Sequence, residues 1–252
     1  MRSVVFAHAT GFCGEVWRPV MNRLAQDGTK LVWDFPCHGS APKLAHPIDW
    51  WDFGRYTLEQ VRGLSGPVIG VGHSMGGAAL VMAELLAPGT FGALLLIEPI
   101  LLPPPYVRTE GGLAVAAEKR RRDFESREAA RQNFVSKLPF SQWDPDALAG
   151  YLECGFIDSP SGVTLACRPE DEAEIYRAAT VHGTWDRLGE VTLPVLVLAG
   201  EASDTHTSER VRRLCDRFPS AGFEIVEGTG HFLPMEMPDL VARRAERMAA
   251  AV

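Results

Sequence analysis

Ser74 stands in Gly72-His73-Ser74-Met75-Gly76-Gly77, directly after the apolar run Pro67-Val68-Ile69-Gly70-Val71 and before Ala78-Ala79-Leu80-Val81-Met82. The pattern predicts a short strand, a sharp turn with serine at its apex, and an apolar helix. A serine in such a turn takes a strained backbone, so its neighbours at 72 and 76 must be tiny. The strain lifts the hydroxyl above the sheet, the arrangement of a nucleophile elbow. The plain alternative is a glycine-rich turn with an idle serine, and the flanking strand and helix patterns weigh against it.

A serine hydroxyl attacks a carbonyl only when a base takes its proton. Of the seven histidines, His231 stands out, in Gly228-Thr229-Gly230-His231-Phe232-Leu233-Pro234. It follows the last strand-like run and precedes a helical pattern, which predicts a loop at the carboxyl edge of a sheet; an unreactive loop histidine is the alternative. His8 and His38 read as loop-ordering residues and His73 as facing away from the nucleophile. His46, His182 and His206 carry no signal beyond position. The imidazole needs a carboxylate to fix its tautomer. Asp204 lies in Gly200-Glu201-Ala202-Ser203-Asp204, and Glu98 ends the run Ala93–Ile97. Pro99 predicts an extended Glu98. Either acid could instead cap a helix or anchor a loop. Two backbone N–H groups must face the oxyanion. One is expected from Met75, the other from the loop His8-Ala9-Thr10-Gly11-Phe12.

The elements that position these groups read as strands at Val4–Ala7, Leu31–Trp33, Val68–Val71, Ala93–Ile97, Val195–Ala199 and Phe223–Val226. Helices read near 15–27, 52–64, 76–86, 206–217 and 237–250. Strands separated by helices predict an α/β fold with a mostly parallel sheet covered on both faces. Ligands then bind beyond the carboxyl ends of the strands, where His8 to Phe12, Ser74, Glu98, Asp204 and His231 all fall. Residues 1–100 and 189–252 are read as the core. The stretch 101–188 breaks the rhythm, opening on Pro103-Pro104-Pro105; it carries no strong strand signal and is expected to be a helical cap over the active end of the sheet. Its basic run Lys119 to Arg122 is interleaved with acids, five positive against four negative over 118–128, so it reads as a solvated face.

The composition fits a soluble enzyme of one large domain, 252 residues with 46% apolar residues. A net charge of −7 argues against nucleic-acid partners. No apolar run approaches the ~20 residues of a membrane span, and no signal peptide is read at the amino terminus. Five widely spaced cysteines are expected to be reduced thiols in a cytoplasmic protein, with a Cys154–Cys167 bridge conceivable. There is no zinc pattern, P-loop or dinucleotide fingerprint, so neither metal nor cofactor is expected.

Over essentially its full length the chain resembles the α/β-hydrolase superfamily. The matching residues are His8-Ala9-Thr10-Gly11-Phe12 with Trp17, Asp34-Phe35-Pro36-Cys37-His38-Gly39, the elbow, Gly200 to Asp204, and Gly230-His231. The resemblance implies a Ser–His–acid hydrolase with a helical cap at 101–188. In many relatives the first strand ends His-Gly-x with a tryptophan nine residues after that histidine, the spacing of His8 and Trp17. This register makes Thr10 the second oxyanion donor, with Phe12 as the alternative if Gly11-Phe12 is the counterpart of the motif. Ala9 replaces the usual glycine. Glu15-Val16-Trp17-Arg18 resembles the pimeloyl-carrier methyl esterases. The chain starts without the superfamily's common amino-terminal hairpin, as hydroxynitrile lyases and plant methyl esterases do. In most relatives the acid lies three residues past a glycine after the penultimate strand, a position held here by Ser203, with Asp204 one further. In a minority, including some haloalkane dehalogenases, it lies about 24 residues after the nucleophile, the position of Glu98. The Ala-Thr-Gly-Phe opening is similar to fungal acyl-thioester hydrolases, which share that earlier position. The balance falls on Glu98, with Asp204 kept.

The expected activity is hydrolysis of a small or medium apolar ester or thioester through an acyl-enzyme, with Phe12, Trp143, Phe156 and Trp185 as candidate pocket walls. Lyase, C–C hydrolase or perhydrolase chemistry is a rival on the same residues. Hydroxynitrile lyases need a lysine near the pocket, and none of Lys30, Lys43, Lys119 and Lys137 adjoins a triad motif. A non-catalytic small-ligand receptor is the other rival. The sequence leaves oligomeric state open.

Overall fold

A computed structural model describes residues 2–25 and 28–252. The first part of the chain runs β1 (Ser3–Ala7), α1 (Arg18–Arg23), β2 (Lys30–Val32), α2 (Trp51–Val61), β3 (Val68–His73), α3 (Met75–Leu86) and β4 (Ala93–Ile97). An inserted stretch follows with α4 (Leu113–Glu118), β5 (Asp123–Phe124), α5 (Arg127–Val135), α6 (Pro145–Cys154), β6 (Phe156–Ser159), β7 (Gly162–Leu165) and α7 (Pro169–Ala178). The chain then returns through β8 (Val195–Gly200), α8 (Ser208–Cys215), β9 (Ala221–Val226), α9 (Leu233–Glu236) and α10 (Pro238–Ala251).

Six strands form one parallel sheet in the order β2-β1-β3-β4-β8-β9. Alternation along the buried strands divides the core into two layers. Val5, Ala7, Leu94 and Leu96 face one side, with residues of α2, α3 and α8. Val4, Phe6, Leu95 and Ile97 face the other, with residues of α1, α6 and α10. A strand has a side-chain period of two, so both faces of a parallel sheet must be apolar. Every residue of α3 from Met75 to Leu85 is buried. Burying one of its Leu, Val or Met side chains stabilises the fold by about 1.5–3 kcal/mol.

The helix expected near 15–27 is divided. Gly14–Trp17 is a 3-10 turn and α1 covers only Arg18–Arg23, with Pro19 in its first turn, where a missing N–H costs nothing. Residues 26 and 27 of that expectation lie outside the described residues.

The insertion is not purely helical. Strands β5, β7 and β6 form a small antiparallel sheet, with Phe156 opposite Leu165 and Ser159 opposite Gly162. Phe124, Phe156, Val163 and Leu165 are all buried, and Phe134 and Tyr151 pack against Phe156. These strands have two to four residues each, too few for a strand pattern to be visible in the sequence. The expectation of five reduced thiols also fails. Cys13 and Cys154 are joined in a disulfide that ties the segment after β1 to the end of α6. Cys37, Cys167 and Cys215 are free and buried, so Cys154 does not pair with Cys167. Among the described residues no helix is long and apolar enough to cross a membrane.

Candidate active site

At the end of β3 the chain turns through Ser74, at φ 54° and ψ −115°, straight into α3. A non-glycine residue in this region carries strain of about 1–3 kcal/mol. The neighbours tolerate no side chain. A Cβ on Gly76 would stand 2.2 Å from the Ala7 carbonyl oxygen, and one on Gly72 would stand 2.7 Å from Gly77 Cα. Gly76 therefore lets the start of α3 press against the end of β1. The Ser74 amide donates to Ile97 O at 2.9 Å, and its carbonyl accepts from Ile100 N at 3.2 Å. The turn is thus clamped to the end of the next strand.

Strand register brings the acid to the same place. His73 pairs with Ile97 and Ile97 with Leu198, so Ser74 and Glu98 emerge side by side from adjacent strands. Glu98 is not extended as its proline neighbour predicts; it sits at φ 50°. Its amide donates to Leu198 O at 2.9 Å, and its side chain turns back across the end of β8. Gly200 N donates to Oε1 at 2.9 Å and Ser203 Oγ donates to Oε2 at 2.7 Å. His231 Nδ1 donates to the same Oε2 at 3.0 Å. His206 Nδ1 stands 2.9 Å from Oε2 as well. Burial by itself would raise the Glu98 pKa. The His206 imidazole 2.9 Å away and the hydrogen-bonded His231 outweigh it and hold the carboxyl well below the usual carboxylate range. The acid is therefore an anion held by three donors, Gly200 N, Ser203 Oγ and His231 Nδ1.

Asp204 lies apart from this group. Its side chain is exposed and accepts from Thr205 Oγ1 at 3.2 Å. Ser203, in the position three past Gly200, instead donates its hydroxyl to Glu98. His73, read as facing away, lies beneath the histidine loop: its Nε2 donates to the His231 carbonyl at 2.8 Å, and the two rings are 5.0 Å apart. Burial lowers its pKa to about 3, so it is neutral. Neither the packing of His73 under the His231 loop nor the approach of His206 to Glu98 was recognisable in the sequence. The available signal was chain position, since one adjoins the elbow and the other follows β8.

The loop after β1 is held by two histidines. His8 Nε2 accepts from Phe35 N at 2.9 Å, and His38 Nε2 accepts from Gly11 N at 2.9 Å. Both pKa values are lowered by burial, that of His38 to about 3, so both rings remain acceptors. The Phe12 amide donates to Ala9 O at 3.3 Å, whereas among the described residues the Thr10 and Met75 amides have no hydrogen-bond partner. Met75 is also the first residue of α3, where free N–H groups and the helix dipole favour negative charge.

Aromatic side chains flank His231. Phe232 is 5.4 Å from His231, 5.9 Å from Phe12 and 5.7 Å from Trp143, and Phe12 is 5.2 Å from Trp143. Phe156 and Trp185 do not join this wall. Phe156 belongs to the interior of the insertion, and Trp185 lies on the opposite side of the sheet. Phe232 was overlooked, although it adjoins the candidate base. Over Gly11, the insertion contributes Arg120, which donates to Glu172 at 2.5 Å and to the Tyr151 hydroxyl at 2.6 Å. Glu98, His206 and His231 are close enough together to hold a metal ion. A cation there would displace the Nδ1 proton that His231 donates to Glu98.

A family model described as the alpha/beta hydrolase family matches residues 4–244. The chain is 27% identical over 209 residues to the abhydrolase domain-containing protein ACTT2 of Alternaria alternata, covering 68% of this chain and 79% of that protein. It is 22% identical over 246 residues to the (E)-2-((N-methylformamido)methylene)succinate hydrolase of Acinetobacter baylyi, covering 94% of this chain and 86% of the relative. Its fold is similar to that of the peroxisomal alpha-beta-hydrolase Lpx1 of Saccharomyces cerevisiae, with a TM-score of 0.84 at 19% identity, covering 99% of this chain and 76% of that one. With a mostly parallel six-stranded sheet, an elbow at its centre and a family match across nearly its whole length, the chain belongs to the α/β-hydrolase family.

Proposed function

We propose that the protein is a serine hydrolase that cleaves a small or medium apolar ester or thioester through an acyl-enzyme. The observation that carries this reading is the His231–Glu98 hydrogen bond at 3.0 Å beside the strained Ser74 turn. Ser74 Oγ attacks the substrate carbonyl carbon while His231 Nε2 accepts the hydroxyl proton. Glu98 keeps the Nδ1–H tautomer and stabilises the imidazolium. The carbonyl π electrons move to oxygen, and the Met75 and Thr10 amides receive that oxyanion. Collapse breaks the bond to the alkoxide or thiolate, which takes the proton from His231. Water then repeats the sequence on the acyl-enzyme, with Ser74 as the leaving group.

Phe12, Trp143 and Phe232 supply an apolar surface for the acyl chain, and residues 101–188 act as the cap over it. Aromatic walls with few polar groups suit an uncharged acyl group. The Acinetobacter relative is named as a hydrolase of a succinate derivative, which supports hydrolysis as the reaction class. The test is a series of p-nitrophenyl esters and acyl thioesters of increasing chain length, assayed on wild type and Ser74→Ala. Turnover of one chain-length class that disappears in Ser74→Ala is expected. A Ser74→Ala protein with full hydrolytic rate would overturn the reading.

A further inference from the structure

A cavity of about 440 Å³ lies between α8 and the chain leaving β4. None of Ser74, Thr10, Met75 or His231 lines it; it meets the candidate active site at His206. Its interior is apolar, formed by Leu101, Leu102, Trp185 and Leu214, and its cations are Arg210 and Arg213. The two arginines are three apart on α8, so they occupy neighbouring positions on one face. Both are exposed. Arg210 Nη1 donates to the Thr205 carbonyl at 3.1 Å, and among the described residues neither guanidinium has a carboxylate within 4.0 Å. On a chain of net charge −7, such a pair beside an apolar hollow is a local reversal of sign.

We infer that this cavity binds a small amphipathic carboxylate. The carboxylate engages Arg210 and Arg213, since a guanidinium fork matches its two oxygens. The apolar tail enters between Leu101, Leu102, Trp185 and Leu214. At roughly 30 Å³ per water-sized unit, the cavity suits a medium-chain acid of about ten to fifteen non-hydrogen atoms. A ligand seated there would touch His206, whose Nε2 donates to the Pro99 carbonyl at 2.9 Å and whose Nδ1 stands 2.9 Å from Glu98 Oε2, and so lies next to the acid without occupying the Ser74 site. The inference stands on the cavity's own chemistry and does not require Ser74 to be a nucleophile.

The test is calorimetric titration of octanoate, with octan-1-ol as the uncharged control. The proteins are wild type, Arg210→Gln/Arg213→Gln and the cavity-filling Leu102→Trp. Expected is saturable one-site binding of octanoate to wild type. The arginine double variant should weaken it by roughly tenfold or more, Leu102→Trp should abolish it, and octan-1-ol should bind more weakly than octanoate. The absence of saturable octanoate binding to wild type would overturn the inference. So would undiminished binding in the folded arginine double variant, because the carboxylate would then sit elsewhere.

Discussion

At the scale of single residues, the account depends on which carboxylate serves His231. Glu98 is buried and accepts from Gly200, Ser203 and His231; Asp204 is exposed and accepts from Thr205. Glu98→Gln keeps the size but removes the anion that sets the tautomer, so kcat should fall on the order of 10³–10⁴. Asp204→Asn should change kcat less than about twofold, since an exposed acid contributes little there. Steady-state kinetics on one ester compares both. Ser203→Ala removes one donor to a charged acceptor and should destabilise the fold by about 1.5–3 kcal/mol; urea unfolding reads this directly. The serine elbow was legible because glycine spacing and a strand-to-helix change lie within one short segment. The acid was not, because two carboxylates follow two strands, and only the register of β4 against β8 decides which one turns toward His231. The backbone of Glu98 was misread for a related reason. A following proline disfavours the helical region, but the tertiary hydrogen bonds of Glu98 select a positive φ instead.

At the scale of elements, the site depends on how closely α3 approaches β1. A Cβ at Gly76 would stand 2.2 Å from the Ala7 carbonyl, and neither backbone can yield without moving the Met75 amide or the Thr10 loop. Gly76→Ala should cost about 1–3 kcal/mol of stability and about 10²–10³ in kcat through the displaced oxyanion donor. Thermal unfolding and kinetics on the same variant check both; an unchanged kcat would break the link between helix approach and the oxyanion amides. The six core strands were readable from their apolar runs. The strands β5, β6 and β7 were not, because each has only two to four residues, and their Phe124 and Phe156 pack against Phe134 and Tyr151 on the neighbouring helices α5 and α6. The Cys13–Cys154 pairing was equally hidden, since its partners lie 141 residues apart and meet only when α6 packs beside the segment following β1.

At the scale of the whole molecule, several histidines are buried as neutral rings. Burial lowers His38 and His73 from 6.5 to about 3 and His182 to about 4, and lowers His8 as well. In the unfolded chain these groups bind protons near pH 6.5, while in the folded protein they do not. The unfolded state therefore holds more protons in this window, and stability falls as pH drops from about 6.5 toward 4. Each ring contributes a slope of up to about 1.4 kcal/mol per pH unit. The urea midpoint should fall steadily between pH 7.5 and pH 5, and a flat midpoint over that range would contradict the neutral-histidine scaffold. The loops around Ser74 thus rest on buried neutral imidazoles that act as hydrogen-bond partners, while the proposed mechanism assigns proton exchange with substrate to His231.

The most direct test of that arrangement is the rate at which a fluorophosphonate adds to the protein, followed by intact mass in wild type, Ser74→Ala, Glu98→Gln and Asp204→Asn. The account predicts a single adduct on wild type and none on Ser74→Ala. It predicts an adduct on Asp204→Asn at the wild-type rate and strongly slowed addition on Glu98→Gln. Labelling that persists in Ser74→Ala, or that slows in Asp204→Asn but not in Glu98→Gln, would contradict it.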